Sequence, residues 1–97
     1  MHARVITAQS TRSKVEQAVA TYESSVIPEA SKLKGFKNAY LLVSPATGQA
    51  MSVVLWETED DMIASEKSEY LRGQIAKFGA IFDATPMIEH YEVRASA

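Results

Sequence analysis

FKNAYLLVSPATGQAMSVVLWE, residues 36–57, holds two extended runs around a turn. Phe36 to Val43 is apolar and aromatic with β-branched Val43 at its end, which favours a strand over residues 36–43. Ser44-Pro45-Ala46-Thr47-Gly48 carries turn residues at both ends. Ala50 to Glu57 is a further strand, so the pair forms an antiparallel hairpin. Side chains alternate across a strand. Phe36, Asn38, Tyr40 and Leu42 therefore share one side, and Lys37, Ala39, Leu41 and Val43 the other. In the second run Met51, Val53 and Leu55 lie opposite Ser52, Val54 and Trp56. Neither strand has a clean polar face, so the sheet must be covered on both sides.

Upstream, Val15, Ala18, Val19, Tyr22, Val26, Ala30 and Leu33 step by three or four. This spacing predicts a helix over 12–33, with Ser10 or Ser13 as N-cap candidates. Pro28 removes a helical hydrogen bond and predicts a kink or break at 26–28. Lys32, Leu33 and Lys34 before Gly35 make a helix stop. Arg4 to Ala8, a β-branched run, reads as a strand over 3–9.

Downstream, Thr58-Glu59-Asp60-Asp61 resembles a capping box. Leu71, Ile75, Phe78 and Phe82 then run at helical spacing. The polar run Ser65-Glu66-Lys67-Ser68-Glu69 predicts a break in that helix, and Ala84-Thr85-Pro86 its end. Met87 to Arg94 forms the last strand. The order βαββαβ is the ferredoxin-like α+β arrangement, a four-stranded antiparallel sheet with two helices on one face. Its uncovered apolar face predicts a homodimer in which two sheets meet.

With 97 residues the chain makes a single domain, residues 1–97, ordered over about 3–94. Ten Lys plus Arg against 12 Asp plus Glu, without charge blocks, gives no nucleic-acid footprint. No apolar stretch approaches about 20 residues, so no membrane span is expected. The absence of cysteine excludes disulfides, thiolate metal sites and thiol catalysis. Only His2 and His90 are histidines, so no metal is expected. No signal-peptide pattern opens the chain, and a cytoplasmic location is the expectation.

Gly35-Phe36 after the first helix, Trp56-Glu57-Thr58 at the entry to the second, and Pro86 ahead of Tyr91-Glu92-Val93 are similar to the motifs of the antibiotic-biosynthesis-monooxygenase family. Their order covers about residues 3–94. The resemblance implies a dimeric α/β barrel. The family includes cofactor-free oxygenases of polyphenols and quinols, and heme-degrading enzymes. The heme-degrading pattern of Asn, Trp and His aligns near Thr7, Ser65 and Gln74, and all three positions depart from it. Iron needs an axial donor such as His, Cys, Tyr or Met, so heme degradation is not expected.

Cofactor-free oxygenation needs a dry pocket, a proton acceptor and hydrogen bonds to a developing oxyanion. The resemblance implies no cofactor for it. The candidate catalytic residues are Tyr70 and His90. Tyr70 is one position off the apolar stripe and reads as a rim residue or a pocket donor. His90 is a base candidate because histidine titrates near neutrality. Its first reading is nonetheless a solvated or inter-subunit side chain. Candidate substrate-binding residues are Thr7, Asn38, Tyr40, Trp56 and Arg72. Trp56 is also a core or interface anchor, Asn38 needs a partner if buried, Thr7 is also a plain β-former, and Arg72 sits on a solvated helix face. Two other readings stand beside the oxygenase acting on a small aromatic or quinol-type compound. One is a non-catalytic module binding a hydrophobic metabolite. The other is a stress or assembly protein that only dimerises.

Overall fold

The computed structural model describes residues 1–79, 81–82 and 85–97. Its strands are β1 (His2–Gln9), β2 (Phe36–Val43), β3 (Gln49–Trp56) and β4 (Met87–Glu92). They form one antiparallel sheet in the order β2-β3-β1-β4, the ferredoxin-like order. The last strand stops at Glu92 rather than Arg94. Val93 N–H still donates to Met1 O at 2.9 Å, which extends the ladder by one bond.

The first helical arm has three parts. A 3-10 turn (Arg12–Lys14) leads into α1 (Val15–Thr21). A π-helical turn (Tyr22–Val26) follows, and then the four-residue α2 (Ile27–Ala30). The irregularity expected at Pro28 is thus absorbed one turn earlier. Ile27 N–H reaches back five residues to Tyr22 O. The widened turn hands the chain to Pro28, which has no N–H to donate. Neither serine caps the arm. Ser10 Oγ instead donates to Gly48 O at 2.9 Å and ties β1 to the hairpin loop.

Gly35 ends the arm as expected, at φ +83°. A Cβ there would collide with the Asp61 side chain. Thr58 caps α3 (Glu59–Lys67) by accepting the Asp61 N–H at 3.1 Å. The break in the second helical arm falls at Ser68. Its extended backbone (ψ 168°) ends α3, and its hydroxyl accepts the Tyr70 N–H at the start of α4 (Glu69–Lys77). The expected end at Ala84-Thr85-Pro86 falls partly outside the described residues.

Registers assign the sheet faces. Arg4 lies opposite Val54 and His90, Ile6 opposite Ser52 and Ile88, and Ala8 opposite Ala50. These residues face the helices. The first core cluster joins Ala18, Tyr22 and Val26 to Phe78 and Ile81. The second holds Val54, Trp56 and Met62, with Phe36 packed against it. Phe36 corrects the simple alternation. A bulge between Phe36 and Asn38 pairs Phe36 with Trp56, so Phe36 turns to the helix side. Its ring meets Trp56 edge-on at 6.1 Å. The other face carries Tyr40 and Leu42 on β2, Met51, Val53 and Leu55 on β3, and Met87 and Tyr91 on β4. Tyr40, Leu42 and Tyr91 are half exposed.

Candidate functional site

A cleft lies between the sheet and the two helical arms; about 560 Å³ of atom-free space lies within it and the open solvent at its mouth. The sheet supplies Arg4, Ile6, Ala8, Leu41, Ala50, Ser52 and Val54. The first arm supplies Tyr22 and Val26. The second arm and its exit supply Tyr70, Leu71, Gln74, Ile75, Phe78, Phe82 and Pro86. Small Ala8 and Ala50, opposite each other in register, leave the floor open. The stripe Leu71–Ile75–Phe78–Phe82 is thus a cavity wall. Eleven of the sixteen described residues that line it are apolar, and the polar ones are few and specific, as in small-molecule sites generally.

Tyr22 spans the gap between the first arm and the sheet. Its hydroxyl donates to Tyr40 O at 3.1 Å and lies 2.9 Å from Ser52 Oγ. With the phenol proton committed to the carbonyl, Ser52 is the donor in the second bond. Burial raises the Tyr22 pKa, with the Ser52 bond and the Arg4 charge opposing it. Gln74, 5% exposed, donates to Glu29 on α2 and accepts from Ser25 Oγ at 3.4 Å. Lys77 reaches the same pair, at 2.5 Å from Ser25 Oγ and 3.5 Å from Glu29. These contacts hold the two arms together over the cavity.

Tyr70 lines the cavity from α4. Burial pushes its pKa up to about 12, against the pull of Arg4 and with that of Tyr22 and Glu29. It is therefore a protonated donor throughout the physiological range and not a base.

Arg4 is the buried charge of the site, at 1% exposure. Its Nη1 donates to Ser65 Oγ at 2.7 Å, with Met62 O and Glu66 Oε2 each at 3.5 Å. Its guanidinium lies 5.3 Å from the centroid of the Trp56 ring. Its Nε has no hydrogen-bond partner among the described residues. Burial lowers the Arg4 pKa, and Glu66 works most strongly against that. Glu66 also meets His90 Nε2, at 2.8 and 2.9 Å from its two oxygens.

The candidate residues from the sequence separate accordingly. Tyr70 reaches the cavity. His90 stands outside it on the edge strand, its side chain 42% exposed, and connects only through Glu66 and Arg4. Trp56 is fully buried in the second core cluster behind Arg4, not in the cavity wall. Its indole N–H has no partner among the described residues. Thr7, Asn38 and Tyr40 lie on the opposite sheet face, although the Tyr40 carbonyl serves Tyr22. Arg72 is exposed on α4. Sequence reasoning did not single out Arg4, Tyr22 or Ser52, and it considered Gln74 only as an iron ligand. The available signal was an arginine within an apolar strand. Among the described residues, no three His, Asp or Glu side chains converge on a metal position.

No family model matches the chain, and no curated protein matches it in sequence. Solved structures do. A Bordetella bronchiseptica protein provisionally named an antibiotic biosynthesis monooxygenase superposes with TM-score 0.81 at 19% identity, covering 97% of each chain. A Deinococcus radiodurans protein of the same provisional name gives 0.80 at 10% identity, over 100% of this chain and 96% of that one. A conserved protein from Methanosarcina mazei gives 0.77 at 17% identity, over 95% and 92%. The whole chain therefore has the antibiotic-biosynthesis-monooxygenase fold.

Proposed function

We propose that the cavity binds a small aromatic phenol or quinol and that the protein is a cofactor-independent monooxygenase of that compound. The observation that carries this reading is an apolar chamber with a buried cation and a protonated phenol on its walls. Flat apolar walls suit an aromatic body, and Arg4 and Tyr70 suit one ring oxygen. The provisional names of the fold relatives point to the same chemistry.

In this reading the substrate itself supplies the electrons. The phenol gives its proton to solvent at the cleft mouth, a ring carbon of the phenolate adds O2, the peroxide anion takes a proton back from solvent, and loss of water from the hydroperoxide leaves a quinone. A naphthol plus O2 thus gives a naphthoquinone plus water, with no other reductant. The chain's part is electrostatic and steric. Tyr70 donates a hydrogen bond to the ring oxygen. Leu71, Ile75 and Phe78 exclude water, which strengthens that bond and protects the intermediate. His90 acts at a distance, through its contact with Glu66. The open sheet face, with Tyr40, Leu42, Val53 and Leu55, meets a second copy and leaves the cavity on the outer side of the dimer.

The test is oxygen uptake with hydroquinones and hydroxynaphthalenes in metal-free buffer, for wild type, Tyr70→Phe and Ala50→Leu. Ala50→Leu raises the cavity floor. Protein-dependent uptake should fall by about tenfold or more in Tyr70→Phe and vanish in Ala50→Leu. Uptake unchanged in Ala50→Leu would move the chemistry away from this cavity. Tight binding of the same compounds without uptake would refute the oxygenase and leave a binding protein.

A further inference from the structure

Arg4 is a costly residue for a core. It removes a full charge from water, and its contacts are uneven: Nη1 carries the bonds to Ser65, Met62 and Glu66, while Nε has none among the described residues. An unmet donor on a buried cation carries a desolvation cost that no bond offsets. The guanidinium lies over the Trp56 ring, 5.3 Å from its centroid. Its carboxylate neighbour is also divided, because Glu66 binds Arg4 at 3.5 Å but His90 at 2.8 Å. The cation is thus only partly compensated, and it borders a chamber with room for a ligand.

We infer that Arg4 is the specificity-determining residue of the cavity: it selects a weakly acidic aromatic hydroxyl, a phenol or enol, in its ionised form, with Glu66 setting the strength of that selection. This rests on the aromatic-site reading above and adds the residues that set the ligand's charge state. A ligand oxyanion supplies the negative charge that the fold leaves short. A weak acid suits the chamber better than a permanent anion, because it enters neutral and sheds no tightly held hydration shell. The titratable and charged groups around Arg4 work in both directions. Arg4 on β1 favours the anion, with Tyr70 on α4 and Tyr22 on the first arm as neutral phenols. Glu66 on α3 opposes it, as does the more distant Glu29 on α2, while His90 on β4 draws on the Glu66 charge. Sharing Glu66 with a surface histidine keeps Arg4 from being quenched by an intramolecular partner.

The test uses a naphthol, whose neutral and ionised forms differ in absorbance and fluorescence, beside its methyl ether, which cannot ionise. Bound to wild-type protein, the naphthol should ionise at least one pH unit lower than when free, meaning about tenfold tighter binding of the anion. Glu66→Gln should lower that midpoint further, by about half a unit or more. Arg4→Met should abolish the shift and still bind the methyl ether. The inference is overturned if the ether binds but the naphthol midpoint is unmoved or raised in wild type. It is equally overturned if Glu66→Gln, which retains Arg4, weakens the anion preference. Failure of both probes to bind would overturn the aromatic-site reading and this inference with it.

Discussion

The Tyr22 hydroxyl offers the sharpest test of how the cavity is held open. The side chain is 3% exposed, and its ring packs with Ala18, Val26 and Phe78. Its oxygen alone connects the first helical arm to two strands, through Tyr40 O at 3.1 Å and Ser52 Oγ at 2.9 Å. Tyr22→Phe keeps the ring and deletes both bonds. Each is worth about 0.5–1.5 kcal/mol net, and the Tyr40 carbonyl is left without this donor, so a loss of about 1–2 kcal/mol is expected. For a chain of this size each kcal/mol moves Tm by about 4–8 °C. Ser52→Ala alone should cost less, because Ser52 is only partly buried. In the Tyr22→Phe background it should cost almost nothing, since its partner is already gone. Urea unfolding of the four proteins gives the coupling, expected at about 0.5 kcal/mol or more. Strict additivity, or a Tyr22→Phe loss below about 0.5 kcal/mol, would refute the bridge. The tie between arm and sheet would then be packing alone.

Three further outcomes follow from the same structure. Gly35→Ala should destabilise by about 1–3 kcal/mol, read from thermal melts, because φ +83° strains an L-residue and the new Cβ meets Asp61. Tyr70 titrates at about 12 in the fold against 10.0 for a free phenol, so the folded state holds the extra proton between those values. Unfolded chains then bind fewer protons, and stability should fall as pH rises from about 10 to about 12, more steeply in wild type than in Tyr70→Phe when urea midpoints are compared. Val53→Glu puts a charge at the centre of the open sheet face, where it lies beside Tyr40. If two copies meet there, association should weaken by about a hundredfold or more in sedimentation velocity. A wild type that is already monomeric at micromolar concentration would refute that interface.

Most of the architecture was legible because each element announces itself locally. Gly35 stops a helix, Thr58 starts one, and the polar run 65–69 interrupts one at Ser68. What escaped depends on which face of a strand the helices cover. The hairpin strands have no polar side, so alternation alone does not say where a given residue points. One bulge at Phe36/Asn38 then reverses the outcome for Phe36. Thr7, Asn38 and Tyr40 are polar residues within apolar strands, and all three fall on the side away from the cavity. Arg4 satisfies the same criterion, yet it reads as an ordinary member of a short terminal strand until register places it opposite Val54 and under Trp56. The two arms then meet over it through Gln74 and Glu29, 45 residues apart in sequence. That pairing has no local signature at all. Cost is what separates Arg4 from the other polar strand residues. Thr7, Asn38 and Tyr40 can face solvent or a second copy without penalty, whereas Arg4 has given up water for an incomplete set of partners. That cost, borne by a residue that lines the cavity, is the ground for proposing that a ligand's charge compensates it.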